Sequence, residues 1–97
     1  MTDSIDSKYD ELAEFFKTIG DPVRLKILFM LKDGELCVHD ISNRLDMSMS
    51  AVSHQLRLLK DRKFVTSRKD GKHVFYSLMD SHIHGIIEMS YSHMVEQ

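Results

Sequence analysis

Residues 38–60, VHDISNRLDMSMSAVSHQLRLLK, decide the fold. Val38, Ile41 and Leu45 recur at helical spacing, which predicts a short helix over about 38–45. Asp46-Met47-Ser48 is too short for a loop between distant elements, so the next helix must cross close by. Ser48 or Ser50 can cap that second helix, in which Val52, Leu56 and Leu59 stand at i, i+4 and i+7. Two short helices joined by so tight a turn form a helix-turn-helix over about 38–60.

Downstream, the period changes. Phe64-Val65-Thr66-Ser67-Arg68-Lys69 is rich in branched residues and polar alternation. Asp70-Gly71 signals a hairpin, and Val74, Tyr76 and Leu78 then alternate with His73, Phe75 and Ser77. A basic hairpin directly behind a helix-turn-helix is a wing, over about 64–79. Asp80 opens a last helix to about 96, with Ile83, Ile86, Ile87, Tyr91 and Met94 as its apolar positions. Upstream, Ser7-Lys8-Tyr9-Asp10 reads as a capping box before Leu12, Phe15, Phe16 and Ile19. Gly20 suits the end of that helix. Asp21-Pro22 restarts the chain as N-cap and first helical residue. Val23, Ile27, Met30 and Leu31 follow, with Leu25, Leu28 and Phe29 on other sides, so this helix should be central. The expected order is α-α-α-α-β-β-α, mainly helical with a β-hairpin wing, in one winged helix-turn-helix domain spanning 1–97.

Composition bounds the function. With 97 residues, 42% hydrophobic and 29% charged, the chain has an ordinary globular balance. No apolar run approaches the ~20 residues a bilayer requires, and the acidic, polar start MTDSIDSKYDEL is no secretory signal. The single cysteine, Cys37, excludes an internal disulfide and a four-thiolate zinc site. A cytoplasmic protein with no membrane partner is expected. The net charge of −2 hides a strong segregation. Residues 1–46 carry ten acids and six bases, residues 47–79 seven bases and two acids, and residues 80–97 three acids and no base. A basic middle between acidic flanks is the footprint of a surface that meets phosphate.

With Val52 at zero on a helical wheel, Leu56 and Leu59 fall within about 40° of it. Ser50, His54 and Arg57 then point the opposite way, with Ser53 on the flank. Short hydroxyls let a helix sink into the major groove and hydrogen-bond base edges. The expected partner is double-stranded DNA, met by Ser48, Ser50, Ser53, His54, Arg57 and Lys60, with Arg62 and Lys63 near the groove wall. Arg68, Lys69 and Lys72 around the hairpin can reach the backbone or a minor groove. The competing reading is an ordinary polar helix face.

The last helix holds three of the six histidines. His93 and Glu96 are three apart and can chelate one ion. Asp80 and His82, two apart, can do so if Asp80 is a non-helical N-cap. The two pairs share a face but lie roughly 16 Å apart at 1.5 Å per residue, so one helix cannot close a tetrahedral site on one ion. Two copies packed antiparallel about a two-fold axis can, with Asp80 and His82 of one chain meeting His93 and Glu96 of the other. Metal binding by these residues therefore implies a homodimer. The alternative is that they are polar groups of a helix surface or interface. Cys37-x-His39-Asp40 superficially offers a nucleophile, a base and an orienter, but residues two apart on a helix diverge by about 200°, so no catalytic relay and no enzyme is expected.

Glu35-Leu36-Cys37-Val38-His39-Asp40-Ile41 followed by Ser50-Ala51-Val52-Ser53-His54-Gln55-Leu56-Arg57-Leu58-Leu59 resembles the ArsR/SmtB family of winged-helix metal-responsive repressors. Asp21-Pro22-Val23-Arg24-Leu25-Lys26-Ile27-Leu28 and Arg68-Lys69-Asp70-Gly71-Lys72-His73-Val74-Phe75-Tyr76 fit as well, so the resemblance covers about residues 8–97. It implies a homodimer that binds imperfect inverted-repeat operators, with Ser50, Ser53 and His54 approaching the bases. The pattern Asp80-x-His82-x10-His93-x2-Glu96 is similar to the C-terminal-helix sensory site of the zinc-responsive branch. That implies Zn(II) as regulatory ligand, lowering DNA affinity and derepressing metal efflux or storage genes; cobalt or nickel also suit nitrogen and oxygen ligands. Arsenic- and cadmium-type relatives carry Cys-x-Cys where this chain has Cys37 and His39. A secondary metal site on Cys37 and His39, completed by Asp3 or Asp6, is the lesser expectation. The alternative function is a winged-helix regulator answering cobalt, nickel or a non-metal signal.

Overall fold

The computed structural model describes residues 2–96. Its elements are α1 (Thr2–Ile19), α2 (Pro22–Leu31), β1 (Leu36–Cys37), α3 (Val38–Leu45), α4 (Met49–Asp61), β2 (Val65–Asp70), β3 (His73–Leu78) and α5 (Ser81–Val95). This is a winged helix-turn-helix with one strand more than expected. The strands form an antiparallel sheet in the order β1-β3-β2, with Leu36 opposite Tyr76 and Cys37 opposite Phe75. Two residues are too few to show a period-2 pattern, so β1 has no signature of its own.

Local chemistry sets the helix ends. Asp21 caps α2 by accepting from the Arg24 N–H at 3.1 Å, with Pro22 in the first turn. Ser48 caps α4 by accepting from the Ala51 N–H at 3.1 Å. Asp80 caps α5, its Oδ1 accepting from the N–H groups of His82 (3.0 Å) and Ile83 (3.2 Å). Ser7 does not cap α1. That helix begins at Thr2, so Ser7 lies inside it. The apolar face that starts at Leu12 marks where the helix packs, not where it begins.

The core joins Ile27, Leu28 and Leu31 of α2, Ile41 of α3, Val52, Leu56 and Leu59 of α4, Phe64 and Val65 at the wing base, and Ile83 and Ile87 of α5. α2 is central, as its all-round apolar sequence requires. Phe15 stacks on Phe64 with ring centroids 4.8 Å apart, bringing α1 against the wing base. Not all expected core residues are inward. Leu12 and Phe16 of α1, and Tyr91 and Met94 of α5, are exposed. Leu12 and Phe16 lie off the side of α1 that Phe15, Thr18 and Ile19 bury, and Tyr91 and Met94 lie beyond Ile87, the last buried residue of α5.

The hairpin turn is Gly71-Lys72, one residue later than the Asp70-Gly71 signal suggests, because Asp70 still pairs with His73. Gly71 takes φ 64° at the first central position, the φ pattern that favours glycine in hairpin turns.

Candidate nucleic-acid and metal sites

The turn of the helix-turn-helix is built on Asp46, held left-handed at φ 54° and ψ 48°. That conformation reverses the chain, and the Met47 N–H donates back to the Ser42 carbonyl at 3.1 Å. The Ser42 hydroxyl donates to the Met47 carbonyl, closing the turn from the other side. Val52, Leu56 and Leu59 then anchor α4 fully buried, so its opposite face must point to water. Ser50, His54 and Arg57 are exposed there, Ser48 is exposed at the N-cap, and on the flank Lys60 is exposed and Ser53 half-buried.

Three cations are less free than their sequence suggests. The Lys60 ammonium donates to the Ser67 hydroxyl at 2.8 Å, tying α4 to the wing. The Arg68 guanidinium grips the Glu35 carboxylate through Nε and Nη2, with Nε 2.9 Å from Oε2. It also lies 3.7 Å from Asp70 and 4.9 Å from the centroid of Phe75. The hydrogen bond from Arg68 holds the Glu35 carboxyl below its ordinary pKa. Arg62, expected near the groove wall, is engaged by α1. Its Nη1 donates to the Thr18 hydroxyl of α1 at 2.8 Å and lies 4.0 Å from Glu14. Lys69 and Lys72 are exposed on the wing.

At the start of α5, Asp80 uses Oδ1 for capping while Oδ2 lies 3.5 Å from Nδ1 of His82. The Ile83 N–H, foremost, holds the Asp80 carboxyl below its ordinary pKa. Capping thus leaves one carboxylate oxygen beside an imidazole, a nitrogen-oxygen pair that suits zinc. His93 lies in the last turn and Glu96 is the C-cap residue, both exposed. Among the described residues, no three His, Cys, Asp or Glu side chains converge within one protomer.

Cys37 and His39 are not brought together. The Cys37 thiol donates to Oδ2 of Asp40 at 3.2 Å, which lowers the Asp40 pKa, while the His39 ring meets the Asn43 amide at 3.2 Å. Asp6 is exposed on α1, and Asp3 lies outside the residues whose side chains are described. Sequence reading names Asp40 beside Cys37 but not their hydrogen bond, and it links nothing to Glu35, which lies 33 residues from Arg68 with no local pattern joining them.

Residues 21–67 match the family described as bacterial regulatory protein, arsR family. A transcriptional repressor SmtB homolog from Synechocystis sp. is 41% identical over 86 residues, covering 89% of this chain and 65% of the relative. A cadmium resistance transcriptional regulatory protein CadC homolog from Staphylococcus aureus is 41% identical over 87 residues, covering 89% of this chain and 72% of the relative. The chain belongs to the ArsR/SmtB family. Reduced HlyU from Vibrio cholerae N16961 shares the fold of this ArsR/SmtB protein with a TM-score of 0.83, at 33% identity over 95% of each chain. Membership makes the chain a winged-helix transcription regulator and not an enzyme. Among the described residues, no helix is long and apolar enough to cross a membrane.

Proposed function

We propose that this ArsR/SmtB protein is a single-domain, cytoplasmic, zinc-responsive repressor. Its metal-free homodimer binds an inverted-repeat operator, and Zn(II) weakens that grip and derepresses metal efflux or storage genes. The observation that carries the reading is the split donor set of α5. Asp80 and His82 adjoin at one end, while His93 and Glu96 stand at the other. The separation along the helix, roughly 16 Å, forbids a site in cis and suits one shared between antiparallel helices.

Exposed apolar residues support the dimer: Tyr9, Leu12 and Phe16 on α1 and Met89, Tyr91 and Met94 on α5. Such patches mark interaction surfaces. Exposed Ser48, Ser50, His54 and Arg57, with Ser53 beside them, support base and phosphate contact by α4, and Lys69 and Lys72 support backbone contact by the wing. In a two-fold dimer, two such helices enter successive major grooves about 34 Å apart.

Bound zinc would join the two protomers through their four-residue donor sets. The chain's contribution is to hold these donors at the ends of a helix that packs on the core through Ile83 and Ile87. Zinc that weakens DNA binding must bind the DNA-free state more tightly, and operator must weaken zinc binding by the same factor. The donors are nitrogen and oxygen atoms, with one cysteine in the chain, so borderline ions such as zinc suit them better than thiophilic ones. Titrating dimer with zinc, cobalt and nickel, with and without operator, tests the reading. Equal zinc affinity in both states would contradict it.

A further inference from the structure

Met49 opens α4 with half of its surface (50%) in water. Met30, Met47 and Met79 pack against the core, whereas Met49, like Met89 and Met94 of α5, is exposed. Within 48–54, all of them described, the exposed residues are Ser48, Met49, Ser50 and His54, and Met49 alone is apolar. At 100° per residue it lies about 60° from Val52 and about 100° from Ser50, on the flank that also carries Ser53 and, three turns on, Lys60. An exposed apolar side chain thus stands in the first turn of the helix read above as meeting DNA.

The neighbouring hydroxyls discriminate poorly. A serine both donates and accepts, so it fits the edge of any base. The apolar feature of the major groove is the C5-methyl of thymine. Hydroxyls cannot select a methyl group, whereas a flexible, polarisable thioether chain can cover one. We propose that Met49 is a specificity-determining residue of this helix, packing on a thymine methyl in each operator half-site. The inference rests on the operator reading above and adds a residue and a base to it.

The test uses the full-length metal-free protein. Wild type and Met49→Ala each select sites from a randomised DNA duplex pool, after far-ultraviolet circular dichroism melts establish that both fold. Wild type should enrich a motif with a fixed thymine in each half-site, and Met49→Ala should relax that position alone. Deoxyuridine in place of that thymidine in one half-site deletes a single methyl and nothing else. It should weaken wild-type binding about fourfold, the value of one buried methyl-sized group, and leave Met49→Ala unchanged. Equal loss in both proteins, an unchanged thymine preference in Met49→Ala, or a wild-type motif without fixed thymine overturns this proposal but leaves operator binding standing. Enrichment of no motif by wild type overturns both.

Discussion

Arg68 on β2 reaches past the Phe75 ring of the central strand to grip Glu35, which immediately precedes β1. This ion pair spans the three-stranded sheet and draws an arginine of the wing away from solvent phosphate. Arg68 therefore acts first as a clamp on the wing. Lys72→Ala should flatten the dependence of log affinity on log salt by about one, the contribution of one phosphate contact. Arg68→Ala should change that slope less. Glu35→Gln should steepen it by freeing the guanidinium. Salt-dependent operator binding of the three variants checks the order.

The same pair has a pH signature. The hydrogen bond from Arg68 holds Glu35 below its ordinary value of 4.5, so the folded state binds this proton more weakly than the unfolded chain. The resulting stability is present above the ordinary value and is lost as pH falls through the lowered one. Thermal melts of wild type and Glu35→Gln should differ at neutral pH and converge in acid below 4.5. A difference that persists unchanged through that range would contradict the assignment.

Asp80 caps α5 and, in the proposed metal site, joins His82 as a ligand. Asp80→Ala should lower stability through loss of the cap, in addition to the expected loss of metal binding. His82→Ala and His93→Ala should abolish the zinc response while leaving metal-free DNA binding intact. Urea unfolding separates the cap from the ligand role.

Lys63 ends α4 in a left-handed conformation at φ 65°, and its N–H donates to the Lys60 carbonyl at 3.0 Å. A residue with a Cβ is strained there, and glycine relieves the strain at some cost in chain entropy. Lys63→Gly should stabilise the fold by about 0.5–1 kcal/mol, whereas Lys63→Ala, with the same backbone constraint, should not. Chemical denaturation of both variants checks this.

Leu56 is fully buried on the side of α4 away from His54 and Arg57. Leu56→Ala should destabilise the fold by about 2–5 kcal/mol through lost burial and the cavity left behind. Operator affinity should fall with the folded fraction, which parallel unfolding and binding curves would show.

What could be read from the sequence was local. Val38, Ile41 and Leu45, then Val52, Leu56 and Leu59, place two helices by spacing, and the Asp21, Ser48 and Asp80 caps act within three residues of themselves. The separation of Asp80 and His82 from His93 and Glu96 follows from helix rise alone. What escaped depends on the chain folding back. β1 exists because Leu36 and Cys37 meet β3, and Glu35 finds Arg68 only once the sheet has formed. Arg62 turns to Thr18 of α1, a contact 44 residues away that no periodicity encodes. Leu12 and Phe16 show the complementary failure, since helical spacing identifies an apolar stripe but not whether one chain suffices to cover it.

Subunit mixing most directly tests the sharing of the metal between protomers. One variant carries Asp80→Ala and His82→Ala, the other His93→Ala and Glu96→Ala, and each homodimer should bind no zinc tightly. Their heterodimer retains one complete donor set, assembled from the two different chains, and should bind one zinc ion with wild-type affinity. A heterodimer as inert as its parents, or tight stoichiometric binding by either parent homodimer, would contradict the account.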